Sequence, residues 1–131
     1  PEMAFHRFIR AGLRGEPIPL YGDGRQTRDF TFVDDIVQAN LEAAARGRPG
    51  EVYNIGGGNQ VTVNHVLELI GSILERPLNI ERRERQHGDV THTYADTARA
   101  RADLGYAPQV ALADGLAREA EWIRANGDIL L

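Results

Sequence analysis

The chain has 131 residues, enough for about one domain with a modest core, and its 42% hydrophobic and 26% charged content is that of an ordinary soluble globular protein. A net charge of -4 gives no general attraction to nucleic acid or to an anionic membrane, and the absence of cysteine excludes disulfides, thiol nucleophiles and cysteine metal sites. All fifteen basic side chains are arginine, so lysine chemistry is excluded as well.

In chain order, Phe5, Phe8, Ile9 and Leu13 recur at helical spacing, and Gly15 with Pro17 ends the run. The start, Pro1-Glu2-Met3-Ala4, runs at once into this pattern and reads as a cut edge. It also lacks the basic and apolar regions of a secretory leader, and no apolar run reaches the roughly 18 residues of a membrane span, so cytoplasm is the default expectation. Ile18 to Tyr21 predicts a short strand, and Gly22-Asp23-Gly24 a tight turn. Arg28 to Val33 predicts a strand, because Thr, Phe and Val suit a pleated surface. Asp34 is placed as the N-cap of a helix that buries Val37, Leu41 and Ala44 and closes near Gly47, with Asp35 in its first turn. Glu51 to Ile55 predicts a strand and Gly56-Gly57-Gly58-Asn59 a loop. Thr62 is placed as the cap of a helix facing inward through Val66, Ile70 and Ile73, or through Leu67 and Leu74. Leu78 to Glu81 reads as a short strand, and Arg82 to Asp96 is polar and poorly periodic. Asp96 can cap a short helix that stops at Gly105, and Leu112, Leu116, Ala120 and Ile123 make the face of a last helix, on which Asp114 can pair with Arg118. Alternating strand and helix give an α/β chain with about five helices, read as a single domain over residues 1–131.

Two stretches stand out as sites. Arg28 follows a glycine-punctuated turn and precedes Phe30 and Phe32; fixed there it can grip a phosphate through two parallel hydrogen bonds, or pair with Asp29 or Asp23 and only brace the turn. The stretch Arg82-Arg83-Glu84-Arg85-Gln86-His87-Gly88-Asp89 lies in the irregular part of the chain, where binding residues concentrate, and Asp89 can accept from a sugar hydroxyl; the plain alternative is a solvated charge run. Other features point away from chemistry. Gly56-Gly57-Gly58 has Val61 where a dinucleotide fingerprint needs glycine, so it reads as a strand-to-helix turn, with Asn54 tying the loop to its neighbour. His6, His65, His87 and His92 show no zinc spacing. Asp34 and Asp35 are adjacent on a helix and diverge, which makes a poor acid/base dyad, and Trp122 reads as packing against a neighbouring element. Four tyrosines are present, but no lysine can lower the pKa of any of them.

The run from Gly15 to Asp35, Gly15-Glu16-Pro17-Ile18-Pro19-Leu20-Tyr21-Gly22-Asp23-Gly24-Arg25-Gln26-Thr27-Arg28-Asp29-Phe30-Thr31-Phe32-Val33-Asp34-Asp35, resembles the C-terminal, substrate-binding portion of the NAD-dependent nucleotide-sugar epimerases and dehydratases of the extended short-chain dehydrogenase/reductase class. Glu51 to Gly58, Gly88-Asp89-Val90, Tyr94 to Thr97, Leu104 to Pro108 and Trp122 resemble its later blocks in order, and within the class the chain is most like the UDP-glucose 4-epimerases and their near relatives. The resemblance implies that Arg28 contacts the diphosphate of a UDP-sugar, that Leu20 and Tyr21 run past the uridine partly by backbone contact, and that Asp89 holds the ribose. The companion arginine of the family's R-x-G-D arrangement is replaced here by Gln86, with Arg85 before it; Arg85 is taken as the second phosphate contact. It further implies an N-terminal Rossmann half that carries NAD and a Tyr/Lys pair. Neither the NAD fingerprint nor that pair is in this chain, so no catalytic residue is assigned and NAD is not expected to bind well. The expected partners are a nucleotide sugar and that half, with neither nucleic acid nor membrane. A sheet edge or an apolar helix face is expected to lie exposed and to promote self-association. A dehydratase or decarboxylase fragment, a stand-alone binding or assembly domain, and a ligand-free structural domain are the competing readings.

Overall fold

The computed structural model describes residues 4–85, 88 and 90–127. Along the chain run α1 (Ala4–Arg14), β1 (Ile18–Tyr21), β2 (Thr27–Asp29), α2 (Val33–Arg46), β3 (Gln60–Thr62), α3 (Val63–Leu74), β4 (Ile80–Arg83), α4 (Ala98–Leu104) and α5 (Leu112–Asn126). They form two compact units interleaved in sequence: Pro1–Gln26, Thr62–Thr91 and Ala113–Leu131 contribute to the first, Thr27–Val61 and His92–Leu112 to the second. The α/β class and the five helices are as the sequence predicts.

In the first unit β1 and β4 form a parallel pair, in register from Ile18 opposite Ile80 to Tyr21 opposite Arg83. The inward positions of β1, Ile18 and Leu20, are buried with Leu67 of α3, and Phe8, Ala11, Val63 and Leu78 pack around them. Helix α1 lies on α3, where Gly12 leaves room for Leu74 and Leu78; a methyl group there would sit 2.7 Å from Leu74. Thr62 caps α3 by accepting from the His65 N–H at 3.2 Å, as its sequence position predicts. Helix α5 buries Leu116, Ala120 and Ile123. Its Glu119 stands 3.8 Å from His6, and burial pushes that carboxyl above its ordinary pKa, an effect the imidazole only partly offsets.

In the second unit Ala39 of α2 packs with Ala100, Leu104 and Tyr106, flanked by Ala43, Tyr53 and Ile55. Asp35 is 4% exposed, and its carboxylate accepts from the backbone N–H groups of Gln109 and Val110 at 2.8 and 3.3 Å. The Tyr106 hydroxyl donates to the Gly56 carbonyl at 2.8 Å, and burial raises its pKa. Asp103 bonds the Arg48 guanidinium, which lowers its pKa. The short strand β2 pairs with β3.

The structure corrects five local expectations. First, β2 ends at Asp29, not Val33, because its partner β3 is only three residues long; Val33 already belongs to α2. Second, the N-cap of α2 is Phe32, and Asp34 lies inside the first turn. Third, α2 buries its small face, Asp35 and Ala39, while Val37 is 52% and Leu41 61% exposed. Fourth, Glu51–Ile55 forms no strand; Arg99 holds it by donating to Glu51 and to the Val52 carbonyl. Fifth, Trp122 is half exposed, not packed away. The strand expected from Leu78 forms two residues later, where the parallel register with β1 places it. Among the described residues no helix is long and apolar enough to cross a membrane.

Candidate functional site

Chain reversal after β1 is built on glycine. Gly22 and Gly24 both hold positive φ, 78° and 76°, so the backbone turns within three residues. Three hydrogen bonds hold the turn. The Gly22 N–H donates to the Arg83 carbonyl at 2.9 Å, the Gln26 side chain donates to the Tyr21 carbonyl at 3.1 Å, and Arg82 Nη1 donates to the Asp23 carbonyl at 3.2 Å.

Around this turn the first unit gathers three of the expected site residues. Leu20 is 2% exposed with its side chain in the core, so only its backbone faces outward. Tyr21 is half-buried at the end of β1. Arg85 runs beside the turn: a Cβ on Gly22 would lie 3.8 Å from the Arg85 Cβ, and Arg85 Nη2 donates to Thr91 Oγ1 at 2.8 Å. Arg83, one strand residue opposite Tyr21, is neutralised by Glu81 at 2.6 Å; that bond, and secondarily the Tyr21 hydroxyl, hold its guanidinium still more firmly charged than usual. Asp89 lies outside the described residues.

Arg28 belongs to the second unit, in the middle of β2. It is half-buried, and its Nη1 donates to the neighbouring Thr27 carbonyl at 2.8 Å. Thr27 is bridged to His92: the Thr93 N–H donates to the Thr27 carbonyl, and Thr27 Oγ1 lies 2.8 Å from His92 Nδ1. The Asp29 carboxylate accepts from the N–H groups of Asn59 and Ala95, each at 3.4 Å. Beside it opens a 260 Å³ cavity, lined by the hydroxyl residues Thr31, Thr93 and Tyr94 among others.

The glycine run between α2 and β3 is a point of close packing. A Cβ on Gly56 would collide with the Asp29 carboxylate, and one on Gly57 with the Phe30 carbonyl oxygen. Glycine at both positions is thus required by close packing against Asp29 and Phe30. Among the described residues no three His, Asp or Glu side chains gather as metal ligands.

Sequence reasoning missed Asn64, saw Arg82 only as part of a charged stretch and not as a holder of the turn, and did not foresee that Asp29 and Asp35 tie backbone segments together. The adjacent Asp34 and Asp35 at a helix start were the visible signal for the last of these; for Asn64 there was none.

The comparisons with known proteins agree with this architecture. Residues 1–56 match the model of the NAD dependent epimerase/dehydratase family. An uncharacterized UDP-glucose epimerase of Bacillus subtilis is 37% identical over 94% of this chain and 39% of its own length. A dTDP-glucose 4,6-dehydratase of Streptomyces griseus is 40% identical over 93% of this chain and 38% of its own. The crystal structure of UDP-glucuronic acid 4-epimerase from Bacillus cereus, in complex with UDP-glucuronic acid and NAD, superposes with a TM-score of 0.90 at 35% identity, covering 95% of this chain and 40% of that one. The chain thus spans about two fifths of the length of the relatives it matches. By family match over residues 1–56, by identity along nearly all of its length and by fold, the chain is similar to a part of the proteins of the NAD dependent epimerase/dehydratase family.

Proposed function

We propose that this chain binds the nucleotide-diphosphate part of a UDP-sugar for an NAD-dependent UDP-sugar 4-epimerase, and is catalytically inactive alone. The observation that carries this is the bonded glycine turn, which Tyr21 leads into and against whose Gly22 the Arg85 stem lies. An aromatic at the start of a hydrogen-bonded turn and an arginine whose stem lies against it suit a base or ribose with its attached phosphates. Arg28, on β2, is proposed as a further phosphate contact, and Asp89 as the ribose contact. Remote binding of this kind orients the sugar, and the hydride chemistry of NAD lies, on this reading, outside this chain.

Titration with UDP, followed by amide NMR, is expected to shift Tyr21, Gly22 and Arg85. Arg28→Ala and Arg85→Ala should each weaken binding by about tenfold or more, the scale of one charge-assisted bond. Mixed with NAD and UDP-glucose, the chain is expected to form no UDP-galactose. An unshifted spectrum refutes the binding role, and turnover refutes the inactivity. Because dehydratases of dTDP-glucose are also relatives, dTDP belongs in the same titration; tighter binding of dTDP than of UDP would favour the dehydratase reading.

A Rossmann half is the proposed partner of the second unit. Val33, Val37 and Leu41 make an exposed stripe at four-residue spacing on α2, and in the Glu51–Ile55 segment Val52 is 75% exposed. Alone, the chain is expected to cover that stripe by self-association. Scattering mass should rise with concentration for the wild type and stay monomeric for Leu41→Arg. A wild type that stays monomeric at all concentrations contradicts this.

A further inference from the structure

Helix α3 begins where the glycine turn ends, and its first donors are already committed. The Val63 N–H donates to the Gln26 carbonyl at 3.2 Å and the Asn64 N–H to the Gly24 carbonyl at 3.0 Å. The Asn64 side chain then reaches back, with Nδ2 donating to the Asp23 carbonyl at 2.9 Å. Asp23 thereby has two side-chain donors on one carbonyl oxygen, Asn64 from α3 and Arg82 from β4. Gly24 is buried, and a Cβ there would fall on the Asn64 amide, so the helix and the turn are in close contact. The orphan N–H groups of a helix start ordinarily face water or an anion. Here they and one amide side chain are spent on the backbone of the turn.

From this we infer that Asn64 is a positioning residue for nucleotide binding: it fixes the Gly22–Gly24 turn against α3, and through the turn sets where Tyr21 ends and where the Arg85 stem lies. The inference rests on the nucleotide reading above. The physical route is preorganisation. Tyr21 is held from behind by Gln26 and from the side by β4, and Arg85 lies against Gly22, so both site residues inherit the position of this one reversal. A turn that has lost one of its two donors at Asp23 samples other arrangements, and ligand binding must then select the competent one. Asn64 itself needs no contact with ligand for this.

The test uses the full chain with UDP as the probe. Asn64→Ala is expected to weaken UDP binding by about tenfold, as for a turn that is competent about one-tenth of the time, with only a modest fall in melting temperature. Hydrogen exchange of the Gly22 amide, which donates to Arg83 across the turn, should quicken in the ligand-free variant. Asn64→Ser, short and well tolerated in a helical first turn, serves if the alanine variant does not fold, with the same expectation. Three results overturn the inference alone: wild type and both variants binding UDP equally; faster Gly22 exchange without loss of affinity, which makes Asn64 merely structural; or a loss of affinity matched by global unfolding. A wild-type chain that does not bind UDP at all, with Gly22 protected as described, sinks the nucleotide reading and the role of Asn64 with it.

Discussion

Asp35→Ala is expected to destabilise the second unit by about 2–4 kcal/mol, whereas Asp34→Ala, one residue earlier, should cost about 0.5 kcal/mol or less. The two carboxylates share the first turn of α2 and the same favourable helix dipole. What separates them is burial. Asp34 is exposed, while Asp35 is buried and is the acceptor for two consecutive amides, Gln109 and Val110, that lead into α5. Removing its oxygens leaves those donors without their bond, at the charged-acceptor end of the hydrogen-bond scale. Asp35→Asn should fall between, since an amide keeps one acceptor but presents N–H to the second donor. Thermal melts, with hydrogen exchange at Gln109 and Val110, read both the size and the place of the loss. Equal effects of Asp34→Ala and Asp35→Ala would contradict this assignment.

The same residue shows why part of the fold was hidden in the sequence. On α2 two stripes run at four-residue spacing, Val33-Val37-Leu41 and Asp35-Ala39-Ala43, and periodicity alone favours the larger side chains. The structure buries the smaller stripe, because Ala39 and Ala43 allow α4 and Tyr106 to come close and Asp35 has two amides to satisfy. On α5 the predicted face of Leu116, Ala120 and Ile123 is the buried one, whereas α3 buries residues of both candidate stripes, Val66 and Ile70 with Leu67 and Leu74, and of the α1 stripe only Ile9 is fully buried. Strands were less legible for a different reason: their existence depends on a neighbour. Glu51–Ile55 has strand composition but pairs with no strand among the described residues, whereas Gln60–Thr62 is a strand paired with β2. In the candidate site, the turn and Arg85 were visible from glycine spacing and family resemblance. The residues that hold the turn were not, since an asparagine two positions into a helix carries no signal until the packing brings Gly24 against it.

Gly57→Ala is expected to cost about 2–3 kcal/mol and Gly58→Ala about 1 kcal/mol, the reverse of what backbone angles alone would rank. Gly58 is the residue with positive φ, 73°, yet a Cβ there meets nothing closer than Pro108 at 3.9 Å. Its penalty is conformational only. A Cβ on Gly57 would collide with the Phe30 carbonyl oxygen and would sit 2.8 Å from the carbonyl carbon. These are backbone atoms and cannot rotate aside, so either the loop or the chain leaving β2 must move. Asp29, immediately before Phe30, binds the amides of Asn59 and Ala95, and a displaced loop breaks the first of these as well. Arg28 lies one residue further back, so Gly57→Ala should also weaken UDP binding beyond any change seen with Gly58→Ala, while a variant at solvent-facing Gly50 should leave binding unchanged. The glycine run is on this account a spacer that lets β2 and the loop approach, and its service to the ligand is indirect. If Gly58→Ala proved the more damaging, close approach would not be the reason for glycine here, and the run would have to be explained by its turn geometry.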